Sequence, residues 1–153
     1  MAQFDTLLID GGFAIGSTDY AEHYPNDWRN TRIVVTVIAG GYAIPMIVDT
    51  GAPWCVLDPD LAALWGLTPT ETYTVSTTLH VRGMGYEGAL ARDAVTLQAT
   101  RGADLEIEAT FFIPRLAPGD AWPWPNFLGL EGFLTRMRFA VDTAENVFYF
   151  GPQ

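Results

Sequence analysis

The chain has 153 residues, which suits one domain with a full core of its own. Hydrophobic residues make up 49% of it, aromatic residues 13% and charged residues 17%, the balance of a folded rather than a disordered protein. The net charge of −10 argues against a nucleic-acid partner, because phosphate would be repelled, and no basic run offers a polybasic membrane anchor.

No apolar stretch approaches the ~18 residues that a spanning helix needs. Residues 1–10 carry no positive charge and no long apolar run, so they do not read as a signal peptide. Cys55 is the single cysteine, which rules out an intrachain disulfide. Both features favour the cytoplasm.

Taken in chain order, the elements are mostly strands. Residues 1–28 read as an N-terminal extension with one strand over Thr6–Ile9, and Gly11, Gly12 and Gly16 as turn glycines. Thr31–Ala39 (TRIVVTVIA) is rich in β-branched residues and ends at Gly40-Gly41, a tight turn. Tyr42–Val48 (YAIPMIV) follows as a second strand, and the hairpin delivers the chain to Asp49. Pro45 cannot donate to a ladder, so it belongs at an edge or on an outward-facing amide.

Beyond Asp49-Thr50-Gly51-Ala52 comes a short apolar run, Trp54–Leu57. A brief helix covers Asp60–Trp65, with Asp58 as N-cap, Pro59 at the first helical position and Gly66 as its stop. Thr72–His80 and Ala89–Thr100 alternate like strands and flank a glycine-bearing flexible tip, Arg82–Gly88. Leu105–Ile113 alternates again, with Asp104, Glu106 and Glu108 on a solvated face. Pro114–Pro125 is a Pro- and Trp-rich loop. Phe127–Leu134, Arg138–Val141 and Val147–Phe150 follow, with a turn at Asp142–Asn146 between the last two strands.

An apolar strand, Met46-Ile47-Val48, runs straight into Asp49. A carboxylate at the end of a buried strand is costly unless it has hydrogen-bond donors or a task. Gly51 lets backbone amides approach it, although a plain β-turn with Asp at its start would use the same residues. The segment alone leaves these two readings about even.

The order of the parts adds weight. The strand and Asp49-Thr50-Gly51-Ala52 are followed by a glycine-tipped hairpin. Then come Phe127-Leu128-Gly129 with Leu130–Leu134, and a last hairpin from Arg138 to Gly151. Over Thr31–Gly151 this resembles a retropepsin-like aspartic protease. Such enzymes carry a flap at the hairpin, an apolar-apolar-Gly strand crossing beside the Asp-Thr-Gly loop, and a short C-terminal helix. The resemblance implies an all-β fold. It would be a single retropepsin-like acid protease domain (closed, β-barrel-like, with one or two short helices) over residues 29–153.

The chain holds one Asp-Thr-Gly; Asp142-Thr143-Ala144 lacks the glycine and reads as structural. Pepsin-type chains are about twice as long and carry two motifs, so one motif implies a symmetric homodimer with one Asp49 from each chain. By resemblance, Asp49, Thr50 and Gly51 are the catalytic set. Thr50 bonds across the dimer axis and Gly51 offers its amide to the carboxylate pair. Ala52, Gly83, Met84, Gly85, Tyr86, Leu128 and Gly129 are the implied substrate contacts. Alanine at 52 withholds the hydroxyl that many relatives aim at the aspartate, which implies work at mildly acidic to near-neutral pH.

The implied activity is hydrolysis of a protein or peptide by water held between two aspartates, without metal or cofactor. A dimeric peptide- or protein-binding module of the same fold is the alternative. His23 and His80 show no metal-ligand spacing, and Cys55 has no histidine partner in view and reads as a small core residue. Trp54 reads first as a core aromatic, with lining a pocket as the second use; Trp122 and Trp124 read first as packing the loop, with gripping a peptide or partner as the second.

Overall fold

The computed structural model describes residues 4–67 and 75–153. The first part of the expected Thr72–His80 strand lies outside them. Two sheets share one core. The larger has seven strands and is built on the hairpin of β2 (Val34–Ala39) and β3 (Tyr42–Val48), joined at Gly40-Gly41. Their burial alternates as expected for a sheet with one face inward; Val35, Val37, Ile44 and Met46 are buried. Pro45 pairs only with Thr36 of β2, because the neighbour on the other side of β3 begins at Ile47. The proline therefore costs no ladder bond.

After β3 the chain makes the Asp49 loop, then β4 (Cys55–Val56) and helix α1 (Pro59–Trp65). Asp58 caps α1, its side chain accepting the Asp60 amide, Pro59 opens it and Gly66 ends it in a left-handed conformation. β5 (Val75–Val81) and β6 (Met84–Leu97) form a hairpin. β6 then pairs along its length with β8 (Leu105–Pro114), from Gly88↔Pro114 to Leu97↔Leu105. β8 alternates over its first half, with Glu106 and Glu108 in solvent, and is buried on both faces from Ala109 to Pro114. There it lies between β6 and β4, so Phe111 enters the main core while Phe112 joins Val56, Leu79 and Trp122 in a second apolar cluster.

The strand order is β2-β3-β9-β4-β8-β6-β5, where β9 is Phe127–Leu128. A further pairing of Ile38 in β2 with Thr96 in β6 curls the sheet back on itself. A 3-10 turn, Leu134–Arg136, stands where the short C-terminal helix was expected.

The second sheet has four strands in the order β10-β11-β1-β7: β10 (Met137–Asp142), β11 (Val147–Pro152), β1 (Gly16–Asp19) and β7 (Arg101–Gly102). β1 is antiparallel to β11, from Gly16↔Phe150 to Asp19↔Val147, so the N-terminal stretch supplies a strand to this sheet. Gly16, expected in a turn, opens that strand.

Thr6–Asp10 is one π-helical turn and not the expected strand. It is tied down by Asp5, which accepts a 2.9 Å hydrogen bond from the Tyr149 hydroxyl and pairs with Arg101. Leu8 and Ile9 pack over Ala14, Val147 and Tyr149. Val147 and Tyr149 lie at the far end of the chain, out of reach of a local pattern.

Candidate active site

β9 threads between the two strands that flank the Asp49 loop. It runs parallel to β3, with Val48 opposite Leu128, and antiparallel to β4, with Val56 opposite Phe127. The Asp49 amide donates to the Leu128 carbonyl at 3.0 Å, which fixes where β3 ends. The amides of Leu130, Glu131 and Gly132 donate to the carbonyls of Ala52 and Pro53 at 2.7 to 3.0 Å. Two loops, 49–54 and 129–132, are thereby laced backbone to backbone.

Glycine is required at this crossing. A Cβ on Gly129 would stand 2.1 Å from the Trp54 carbonyl oxygen, and one on Gly132 would meet the Thr110 carbonyl at 2.6 Å. Beneath the crossing, Arg136 donates to the Glu108 carbonyl at 2.7 Å and the Thr110 hydroxyl at 2.8 Å, while Thr110 donates its amide to Gly132.

Asn126, just before β9, is a buried polar hub. Its carbonyl accepts from Ile47, and its side-chain oxygen accepts from Asp58 at 2.8 Å. Its own amide and side-chain amide both donate to the Tyr24 hydroxyl at 3.2 Å. It ties β3, the start of α1 and the N-terminal stretch to one point. Arg136, Asn126 and Tyr24 escaped the sequence reading; the only signal for Asn126 was a polar residue immediately before an apolar strand.

Within this frame Asp49 is half-buried on the wall of a cleft of about 440 Å³. The Gly51 amide donates to its Oδ1 at 2.9 Å, and the Ala52 amide turns back to its carbonyl at 3.3 Å. Gly51 and Ala52 also line the cleft. Thr50 is exposed, and its hydroxyl has no hydrogen-bond partner among the described residues.

The opposite wall is β5 and its turn: Leu79, His80, Val81 and Arg82. The tip is tighter than the expected flexible segment. Pairing continues to Val81↔Met84, leaving a two-residue turn at Arg82 and Gly83 with φ of 50° and 82°. Gly83 and Met84 are exposed at that turn, and Gly85 backs onto His80.

Tyr86 is half-buried, and its hydroxyl accepts from Trp124 Nε1 at 2.8 Å. Its ring meets Trp122 edge-on at 4.9 Å. Arg82 lies 5.0 Å above the Trp124 ring. The hairpin is thus clamped to the Pro- and Trp-rich loop, whose tryptophans pack, as does Trp54 beside Val56 and Phe112.

The expected contacts at 128 and 129 lie behind the loop. Leu128 is fully buried in the main core and Gly129 backs onto Trp54, while Phe127 is the residue of that segment facing the cleft. Cys55 is fully buried, and burial pushes its thiol up to about 12. A thiol so held is a poor nucleophile. His23 contacts the Asn30 carbonyl, far in the chain from His80. Among the described residues no three His, Cys, Asp or Glu side chains converge as metal ligands would.

A protein-family model described as aspartyl protease matches residues 34–111. That stretch runs from β2 through the Asp49 loop and the β5–β6 hairpin into β8, and the chain belongs to this aspartyl protease family. Among solved structures, the chain is similar to a retropepsin-like aspartic protease from Rickettsia conorii. The identity is 19%, the match covers 90% of this chain and 94% of that chain, and the TM-score is 0.54. The fold is therefore retropepsin-like. No curated protein matches the chain.

Proposed function

We propose that the protein is an aspartic endopeptidase that acts as a homodimer, with one Asp49 from each chain at the catalytic centre. One observation carries the reading. Asp49 stands on the wall of an open cleft with one oxygen held by the Gly51 amide, and among the described residues it is the only carboxylate lining that cleft. Peptide hydrolysis by direct water attack needs an ionised acid and a protonated one together. A single Asp49 supplies half of that pair, and a second copy related by a two-fold axis supplies the rest.

Two carboxylates at close range share one proton and titrate as a pair. The ionised member takes a proton from water as its oxygen bonds to the scissile carbonyl carbon. The protonated member gives its proton to the carbonyl oxygen. Collapse of the tetrahedral intermediate breaks the C–N bond, with a proton passing to the leaving amine. Thr50, exposed and without a hydrogen-bond partner among the described residues, is assigned to bond its counterpart across the axis. The substrate is an extended protein or peptide segment between the Asp49 loop and the clamped β5–β6 hairpin, and the cytoplasm is the proposed setting.

Cleavage of a peptide library tests this. Wild-type protein is expected to cut, and Asp49→Asn or a statine-type inhibitor to abolish cutting by a factor of at least about 10³. An Asp49→Asn protein that cuts as well as wild type removes Asp49 from the chemistry. A folded wild-type protein that binds peptides and cuts none makes the chain a binding module.

A further inference from the structure

The charge of the cleft runs against the charge of the chain. The protein carries 18 acidic side chains against eight basic ones, all eight of them arginine. The cleft reverses that ratio: among the described residues, Arg32 and Arg82 line it against one carboxylate, Asp49. An acidic chain thus places two of its eight arginines on the groove where a substrate would lie.

Among the described residues, the two cleft arginines form no ion pair. The described salt bridges engage Arg92 with Glu108 and Arg101 with Asp5, while Arg136 is committed to backbone and hydroxyl acceptors. Arg32 is half-buried; its amide donates to the Glu22 carbonyl, and among the described residues its guanidinium donates to the neighbouring Thr31 carbonyl alone. Nearby Asp27 is held below its usual range first by the Asn30 side chain, then by the Arg29 amide, with the Arg32 charge a smaller cause.

Arg82 is held by a face rather than by a charge. Its guanidinium lies over Trp124, which is fixed in turn by the Tyr86 hydroxyl. Stacking leaves the N–H edge of a guanidinium free to grip a carboxylate, with part of its rotamer entropy already spent.

We infer that the cleft selects acidic peptides, with Arg82 and Arg32 reading glutamate or aspartate side chains beside the bond to be cut. The inference deepens the proposed function and rests on it for the word "cut"; the selection itself is a property of binding. Charged walls also focus the field, so acidic segments arrive faster as well as bind longer.

The test measures binding and cleavage separately, on one set of fluorescent peptides. The peptides share an apolar scissile pair and carry Glu, Gln or Lys at each flanking position in turn. Binding is measured on the Asp49→Asn protein and cleavage on wild type. At one or more positions the Glu peptide is expected to bind roughly fivefold tighter than its Gln counterpart at low salt. The preference should fade as salt is raised. Arg82→Glu in the same background should turn it toward Lys, a reversal that loss of the Trp124 stack would not produce.

Equal binding of the three peptides at every position, a lysine preference in the unaltered cleft, or no binding at all overturns the inference. Selective binding of Glu peptides by a wild-type protein that cuts none overturns the hydrolase reading and leaves the selection standing. Cleavage without charge preference does the reverse.

Discussion

Cys55 sits six residues beyond Asp49, with β9 and β8 on either side of its strand and no water in reach. Its thiol illustrates how burial decides chemistry. Charging it inside the fold would strand a thiolate among apolar groups, so it stays protonated up to about pH 12 against an ordinary value of 9.0. In the unfolded chain it ionises normally. The folded value is raised, so its contribution to stability is whole below about pH 9 and is lost as pH climbs toward 12. Denaturant melts between about pH 8 and pH 11 should show that decline, and Cys55→Ala should lessen it, most clearly below about pH 10 where Tyr149, itself raised to about 12, does not yet contribute. In the native state a thiol reagent should leave Cys55 untouched at about pH 8, then modify it rapidly once the chain unfolds. Rapid labelling of folded protein would contradict this burial.

Asp49 was legible at this scale because three adjacent residues and an apolar strand carry its signal. Asn126 was not. Its partners stand 68 and 102 residues away, and nothing local marks a residue whose work is done at that distance.

At the scale of elements, local chemistry predicted what local contacts decide. The β2–β3 hairpin and its Gly-Gly turn appear as read, as does α1 with its aspartate cap and glycine stop. Where pairing is set from afar, the reading went astray. Thr6–Ile9 looked like a strand, but the segment folds as one helical turn over Tyr149. Residues 82–88 looked like a loose tip, yet β5 holds β6 in register to the last possible pair.

The element that matters most is two residues long. Phe127 and Leu128 between β3 and β4 decide where the Asp49 loop sits. Gly129 lets the loops touch, with no room for a methyl group against the Trp54 carbonyl. Gly129→Ala is therefore expected to cost about 3 kcal/mol or more and to cut activity steeply, read by denaturant unfolding and peptide hydrolysis. Unchanged stability and full activity would show that the loops can part without consequence.

For the whole molecule, composition excluded more than it specified. It gave a folded domain and made nucleic acid an improbable partner. No described helix is long and apolar enough to cross a membrane. The fold class followed from the order of parts, and the seven-stranded curled sheet and the family match bear it out. Two features stayed hidden. β1 joins β11 and β7, a closure made by residues 84 to 134 positions apart. The gathering of arginines in the cleft depends on a turn and a strand end that meet only in the fold.

At this scale one chain is proposed to be half of an active site. This sharing is tested most directly by co-refolding wild-type protein with Asp49→Asn in varied proportions at constant total concentration and measuring peptide hydrolysis. If each site needs an Asp49 from two chains, activity falls as the square of the wild-type fraction, to about a quarter for an equal mixture. A linear decline, to about half at that point, would mean that each chain works alone and would overturn the shared site.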